Sequence, residues 1–143
     1  MANKNNERRK FFNNLNYTIM KIEKELFGNF LDDTNCDSYW AVLGFNKGDL
    51  NRQLKAEYLK ANTDAYRGEI MAYILLNGGS IVVVDTYEED EHTLAMEDVN
   101  KGFQLLEKHN NKLYNSLVKD EDYDAETCDL WLQYAVFGEI VYG

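Results

Sequence analysis

The chain has 143 residues, of which 45% are hydrophobic, 28% charged and 13% aromatic, and it contains no proline. That length and composition suffice for one hydrophobic core and exclude a disordered or fibrous chain, so a single domain spanning residues 1–143 is expected. The formal charge of −10 is uneven, with +3 over residues 1–29, −2 over residues 30–80 and −11 over residues 81–143; such a balance repels phosphate backbones and attracts basic surfaces, so direct nucleic-acid binding is not expected.

In chain order, the first signal is an amphipathic helix over residues 9–31. There Phe12, Leu15, Ile19, Ile22, Leu26 and Phe30 recur at three and four residues, and Phe11, Tyr17, Met20 and Phe27 widen the apolar face beyond a coiled-coil seam. Asp32, Asp33, Thr34 and Asn35 read as a loop. Tyr39, Trp40, Val42, Leu43 and Phe45 predict a strand, closed by the turn residues of 46–49. Asp49 is a candidate cap for a helix through Leu50, Leu54 and Tyr58, and Asp64 for another through Ile70, Met71, Ile74 and Leu75, which Asn77-Gly78-Gly79 stops. Four β-branched residues, Ile81 to Val84, predict a central strand, and the acidic Glu88-Glu89-Asp90-Glu91 predicts the tip of a hairpin returning through His92 to Ala95. Glu97 and Asp98 open a helix through Val99, Phe103 and Leu106. Residues 110–123 read as a polar connection with helical character around Tyr114. Asp124 then caps a last helix carrying Leu130, Trp131, Tyr134, Ala135 and Ile140. The expected fold is α+β: a long N-terminal amphipathic helix, a small antiparallel sheet with a β-hairpin, and several packing helices.

Catalytic constellations are missing from this pattern. His92 and His109 are the only histidines, and neither sits in a nucleophile motif. Asp120, Asp122 and Asp124 imitate the start of a calcium loop, but Ala125 stands where that loop needs glycine and Trp131 where it needs glutamate. No phosphate-binding glycine motif precedes a helix. A non-enzymatic protein with no cofactor and no metal is therefore expected. The residues that close one membrane span are also missing, since the longest apolar runs, 71–76 and 80–84, fall far short of the roughly 18 residues required. Cys36 and Cys128 lack a C-x-x-C spacing and read as reduced thiols, and with no secretory h-region a cytoplasmic location is expected.

What remains is surface character. Acidic strips at 85–98 and 120–129 are either solvated faces or a phosphate-like surface for a basic partner. Tyr39, Trp40, Trp131, Tyr134, Phe137 and Tyr142 belong either to the core or to a ligand pocket.

Residues 133–143, Gln-Tyr-Ala-Val-Phe-Gly-Glu-Ile-Val-Tyr-Gly, resemble the ending of a family of small acidic proteins from phages and mobile elements of gut bacteria. The Tyr39-Trp40 pair, Gly78-Gly79 before a strand, the acidic turn, Glu97-Asp98 with Lys101-Gly102, and Asp124-Ala125 extend the likeness over about residues 36–143; Asp37-Ser38 departs from it where small residues, often glycine, precede Tyr-Trp. The family has no established catalytic residues. The resemblance implies an accessory protein, of a kind some of whose members antagonise host defence. The leading expectation is thus a phage-type antagonist in the host cytoplasm that binds a basic protein partner through Glu88, Glu89, Asp90, Glu91, Asp120, Asp122 and Asp124. The alternative is a sponge for a (cyclic) nucleotide immune signal, with Tyr39, Trp40, Trp131 or Tyr134 against the base and Arg52 or Arg67 on phosphate. A third is an assembly factor whose first helix makes a dimer contact, the protein being a monomer or small homo-oligomer.

Overall fold

The structure is a computed structural model and describes residues 24–143; the part of the expected N-terminal helix before Lys24, with its dimer contact, lies outside the described residues. The elements are α1 (Lys24–Asp37), β1 (Ala41–Phe45), α2 (Asp49–Ala61), α3 (Arg67–Leu76), β2 (Ser80–Asp85), β3 (Asp90–Ala95), α4 (Met96–His109), α5 (Asn111–Asp120) and α6 (Ala125–Phe137). This is the expected α+β class. None of the described helices is long and apolar enough to cross a membrane.

The three strands form one antiparallel sheet in the order β1-β2-β3, with Leu43 opposite Val83 and Val83 opposite His92. Burial alternates along β2, so Ile81, Val83 and Asp85 point inward with Leu43 and Leu94 while Val82 and Val84 point out. The helices cover the inner face only. Their core centres on Phe30, whose ring lies 5.7 Å from Phe103 and 5.1 Å from both Trp131 and Tyr123. A smaller cluster of Leu54, Ile70 and Ile74 joins α2 to α3.

Two helix pairs cross at glycine. A Cβ on Gly68 of α3 would stand 2.1 Å from the carbonyl oxygen of Gly28 in α1, and one on Gly102 of α4 would stand 2.8 Å from Trp131 Nε1 and 2.9 Å from the Ala135 Cβ in α6. These positions let two pairs of backbones approach closely around the core.

Several boundaries differ from expectation. The expected loop at Asp32, Asp33, Thr34 and Asn35 is helical, because Phe27, Phe30, Leu31 and Thr34 carry one buried face through it. Its polar residues serve long-range bonds: Asp33 accepts from the Tyr123 hydroxyl at 2.6 Å, and Asn35 Oδ1 accepts from the Leu43 amide at 2.8 Å. Gly48 rather than Asp49 stands at the α2 N-cap, and Asp49 instead pairs with Arg52 at 2.9 Å. Asp64 caps nothing; the Ala65 amide turns back to Asn62 and α3 starts after an extended Tyr66. The connection at 110–123 contains α5, capped by the Asn110 side chain, with Tyr114 and Leu117 as its short buried face. Ile140 lies beyond α6, which Gly138 ends at φ +77°. Asp124 caps α6 as expected, accepting from the Thr127 amide at 3.0 Å.

Candidate functional site

The expected acidic tip is divided between the β2–β3 turn, which holds Glu88 and Glu89, and the first two residues of β3, Asp90 and Glu91, which pair with Asp85 and Val84. Glu88, Glu89, Asp90 and Glu91 are all exposed, and Glu89 holds the left-handed conformation at φ 59° that closes the turn. Among the described residues the one ion pair is Arg52 with Asp49, so no basic side chain there neutralises the four carboxylates. Tyr39 and Tyr87, about half exposed, lie beside the turn with ring centroids 6.2 Å apart. Val42, also exposed, continues across the outer sheet face through Val84 to Glu91. The acidic tip thus has an aromatic and apolar flank.

A buried carboxylate shapes this turn. Asp85 is 1% exposed; its Oδ1 accepts from the amides of Tyr87 at 2.9 Å and Glu88 at 3.1 Å, and its Oδ2 accepts from the Tyr142 hydroxyl at 2.5 Å. Such an Asx turn fixes the backbone that presents the acids. Thr86 ties the same turn to β1, its amide and hydroxyl both donating to the Trp40 carbonyl, at 2.7 and 2.9 Å.

Tyr142 is held in turn by Gln133, a fully buried residue of α6. Gln133 Oε1 accepts from the amides of Val141 and Tyr142, both at 2.8 Å, while its Nε2 donates to the Tyr142 carbonyl and to both oxygens of Asp129, at 3.1 Å. Asp129 also accepts from Trp40 Nε1 at 2.8 Å. The distinctive ending of the sequence is therefore a latch: Gln133 folds the segment after Gly138 back, and Tyr142 reaches from it to the hairpin. Its ring packs between Trp40 (5.3 Å) and Tyr87 (5.2 Å).

Burial by itself would raise the pKa of Asp85, but the hydrogen bonds from Tyr142, Glu88 and Tyr87 outweigh it and hold the carboxyl below its ordinary value of 3.8. The bond to Asp85 likewise pushes the Tyr142 hydroxyl up to about 12. Because the folded Asp85 pKa is depressed, the folded state binds fewer protons than the unfolded one over that interval, and stability rises with pH. Its contribution is complete above about pH 4 and is lost as pH falls through the folded pKa. We expect the gap in Tm between the wild type and Asp85→Asn to be largest near neutrality and to shrink steadily below pH 4, measured by thermal melts at matched ionic strength. A gap independent of pH would contradict this assignment.

The other expected site residues do not join the hairpin. Asp120 and Asp122 are exposed around the end of α5, and Asp124 is engaged as the α6 cap, with its carboxyl held low by the Thr127 amide. No hydrogen bond or ion pair among the described residues links this strip to Glu88–Glu91. The residues expected of a nucleotide pocket do not converge either. Trp40 and Trp131 are 0% exposed, their rings covered by Phe137 and Tyr142 and by Phe30 and Phe103, and the Trp131 indole donates to the Val99 carbonyl at 3.1 Å. Tyr134 is buried against His109, Arg67 donates to the Leu43 carbonyl at 2.6 Å, and Arg52 is spent on Asp49. Trp131 and Tyr134 are core because they fall on the inward side of α6, and Trp40, in the bend before β1, is drawn in by its indole bond to Asp129, which leaves only Tyr39 of the four exposed.

Sequence reasoning missed two features. One is the Gln133 latch. The other is a groove of about 380 Å³ between α1, α2 and α3, lined by Tyr58, Tyr66, Tyr73, Glu25 and Glu69 among others, in which the Tyr58 hydroxyl donates to Glu69 at 2.6 Å. Tyr58 and Tyr73 are spaced as ordinary helix positions, so nothing local distinguishes them from core. Compared with protein-family models, curated proteins and solved structures, the chain gives no match.

Proposed function

We propose that this protein is a non-enzymatic binding protein whose acidic hairpin captures a basic surface on a protein partner, in the manner of a phage-type antagonist of a host-defence component. The observation that carries this reading is the anchored hairpin: four exposed carboxylates with no basic partner among the described residues, on a backbone fixed by Asp85 and Tyr142 in the turn and by pairing with β2 in β3. Preorganised charge of one sign steers and orients an oppositely charged partner, and a rigid presenter loses less entropy on binding than a mobile one. Tyr39, Tyr87 and Val42 add desolvatable area next to the charge, as interfaces require. The host-defence context comes from the family resemblance of residues 36–143.

The reading is tested by native mass spectrometry of the protein purified from a bacterial host that carries defence systems, beside the variant with Glu88, Glu89 and Glu91 changed to Gln and Asp90 to Asn. At about 0.5 kcal/mol for each exposed ion pair, removing four charges costs about 2 kcal/mol, or about 30-fold in affinity. We expect a basic protein to accompany the wild type at low salt and to be lost from the variant. A partner retained equally by both would refute the acidic surface, and an added mass of a few hundred daltons would point to a small-molecule sponge instead.

A further inference from the structure

The two edges of the sheet are treated differently. The Thr86 amide bonds the Trp40 carbonyl, so by antiparallel alternation Val42 and Gly44 face β2 and the amides and carbonyls of Ala41 and Leu43 face outward. Three of those four outward groups are plugged: Ser38 Oγ accepts from the Ala41 amide at 3.0 Å, Asn35 from the Leu43 amide at 2.8 Å, and Arg67 donates to the Leu43 carbonyl at 2.6 Å. Covering an edge in this way prevents another strand from pairing with it. On the opposite side, Asp85, Val83 and Ile81 bond to Asp90, His92 and Leu94, which turns the backbone N–H and C=O of Glu91 and Thr93 outward. Both residues are exposed, and no hydrogen bond among the described residues uses those four groups.

From this asymmetry we infer that the open β3 edge is where the partner docks, by adding an extended, basic segment of its own chain as a fourth strand. The occupant follows from charge. A strand laid along β3 runs beside Asp90 and Glu91 and past the turn carrying Glu88 and Glu89, so lysine or arginine at alternate positions meets carboxylates while its backbone pairs with Glu91 and Thr93. The residues between them point to the opposite face of the sheet, the side of His92 and Leu94, where an apolar side chain extends the inner face. This rests on the reading of the hairpin as the recognition surface and specifies how that surface engages.

A short peptide of alternating lysine and valine is the probe, titrated into the full-length protein with amide hydrogen exchange as the readout. A second peptide, N-methylated throughout, keeps every charge and removes every N–H donor. We expect the first to protect the Glu91 and Thr93 amides and the second to bind about tenfold more weakly or worse. Thr93→Pro, which removes an outward amide and no ladder bond, should weaken the first peptide in the same way while leaving the hairpin charges intact. If both peptides bind alike and neither amide is protected, yet neutralising Glu88, Glu89, Asp90 and Glu91 abolishes binding, strand addition is overturned and acidic recognition stands. If the amides are protected and neutralisation changes nothing, the edge stands and acidic recognition fails. No binding of either peptide overturns both.

Discussion

Gly68→Ala should lower stability by about 3 kcal/mol or more, although substituting alanine for glycine inside a helix ordinarily adds stability. Intrinsic propensity alone favours alanine, by about 1 kcal/mol in a helix interior and by less at the second residue of α3. Packing reverses the sign, because the added Cβ would stand 2.1 Å from the Gly28 carbonyl oxygen and 2.8 Å from Asp32 Cγ. The first obstacle is backbone, which moves only if α1 separates from α3, and that opens the core holding Phe27, Phe30 and Leu31 against Met71 and Leu75. Overpacking a close contact costs about 1–3 kcal/mol even where side chains can give way, so the backbone contact sits at or above the top of that range. Gly102→Ala makes a useful comparison: its nearest neighbours are the Trp131 indole and the Ala135 methyl, both side chains, and its cost should be smaller. Thermal and urea melts check the pair. A Gly68→Ala variant as stable as the wild type would mean that the helices do not cross as described.

Gln133→Ala should cost about 2–4 kcal/mol. The amide serves Val141, Tyr142 and Asp129 together. Its loss strands those partly buried groups, at a cost of about 1–3 kcal/mol for each left unsatisfied, and leaves a cavity where the fully buried side chain lay. Gln133→Glu does not rescue it, since a carboxylate accepts from the two amides but cannot donate to Tyr142 and sets a like charge against Asp129. The diagnostic consequence is remote. Tyr142 should leave Asp85, and the amides of Tyr87 and Glu88 should exchange faster although neither touches Gln133. Hydrogen exchange with site resolution measures this. Loss of global stability with unchanged protection at Tyr87 and Glu88 would separate Gln133 from the hairpin and break the latch.

Much of the fold is legible in the sequence because its signals are local. Ile81 to Val84 are β-branched and bounded by glycine and acids, so β2 and its hairpin follow from propensity and turn chemistry; Asp124 with Thr127 announces the start of α6 within four residues. The misread segment at Asp32 to Asn35 shows where locality ends. Those residues look like a loop because each favours side-chain bonds to nearby backbone, yet here Asp33 and Asn35 find partners in Tyr123 and Leu43, and the buried face of α1 decides the conformation. The site divides in the same way. Its charge is visible as composition, whereas its shape depends on a bond between Asp85 and Tyr142, which are 57 residues apart. Glycines at 28, 68 and 102 inside helical patterns were the available signal for the tight crossings, since a glycine that weakens a helix is tolerated most readily where backbones must meet.

The claim that an anchored acidic hairpin recognises a basic partner is tested most directly by the salt dependence of the isolated partner's affinity, measured by calorimetry for the wild type and for the variant neutralised at Glu88, Glu89, Asp90 and Glu91. We expect the wild-type affinity to fall steeply with rising salt, and the variant to start about 30-fold weaker with a much flatter dependence. Identical slopes for the two proteins would place the interface elsewhere on the molecule and contradict the account.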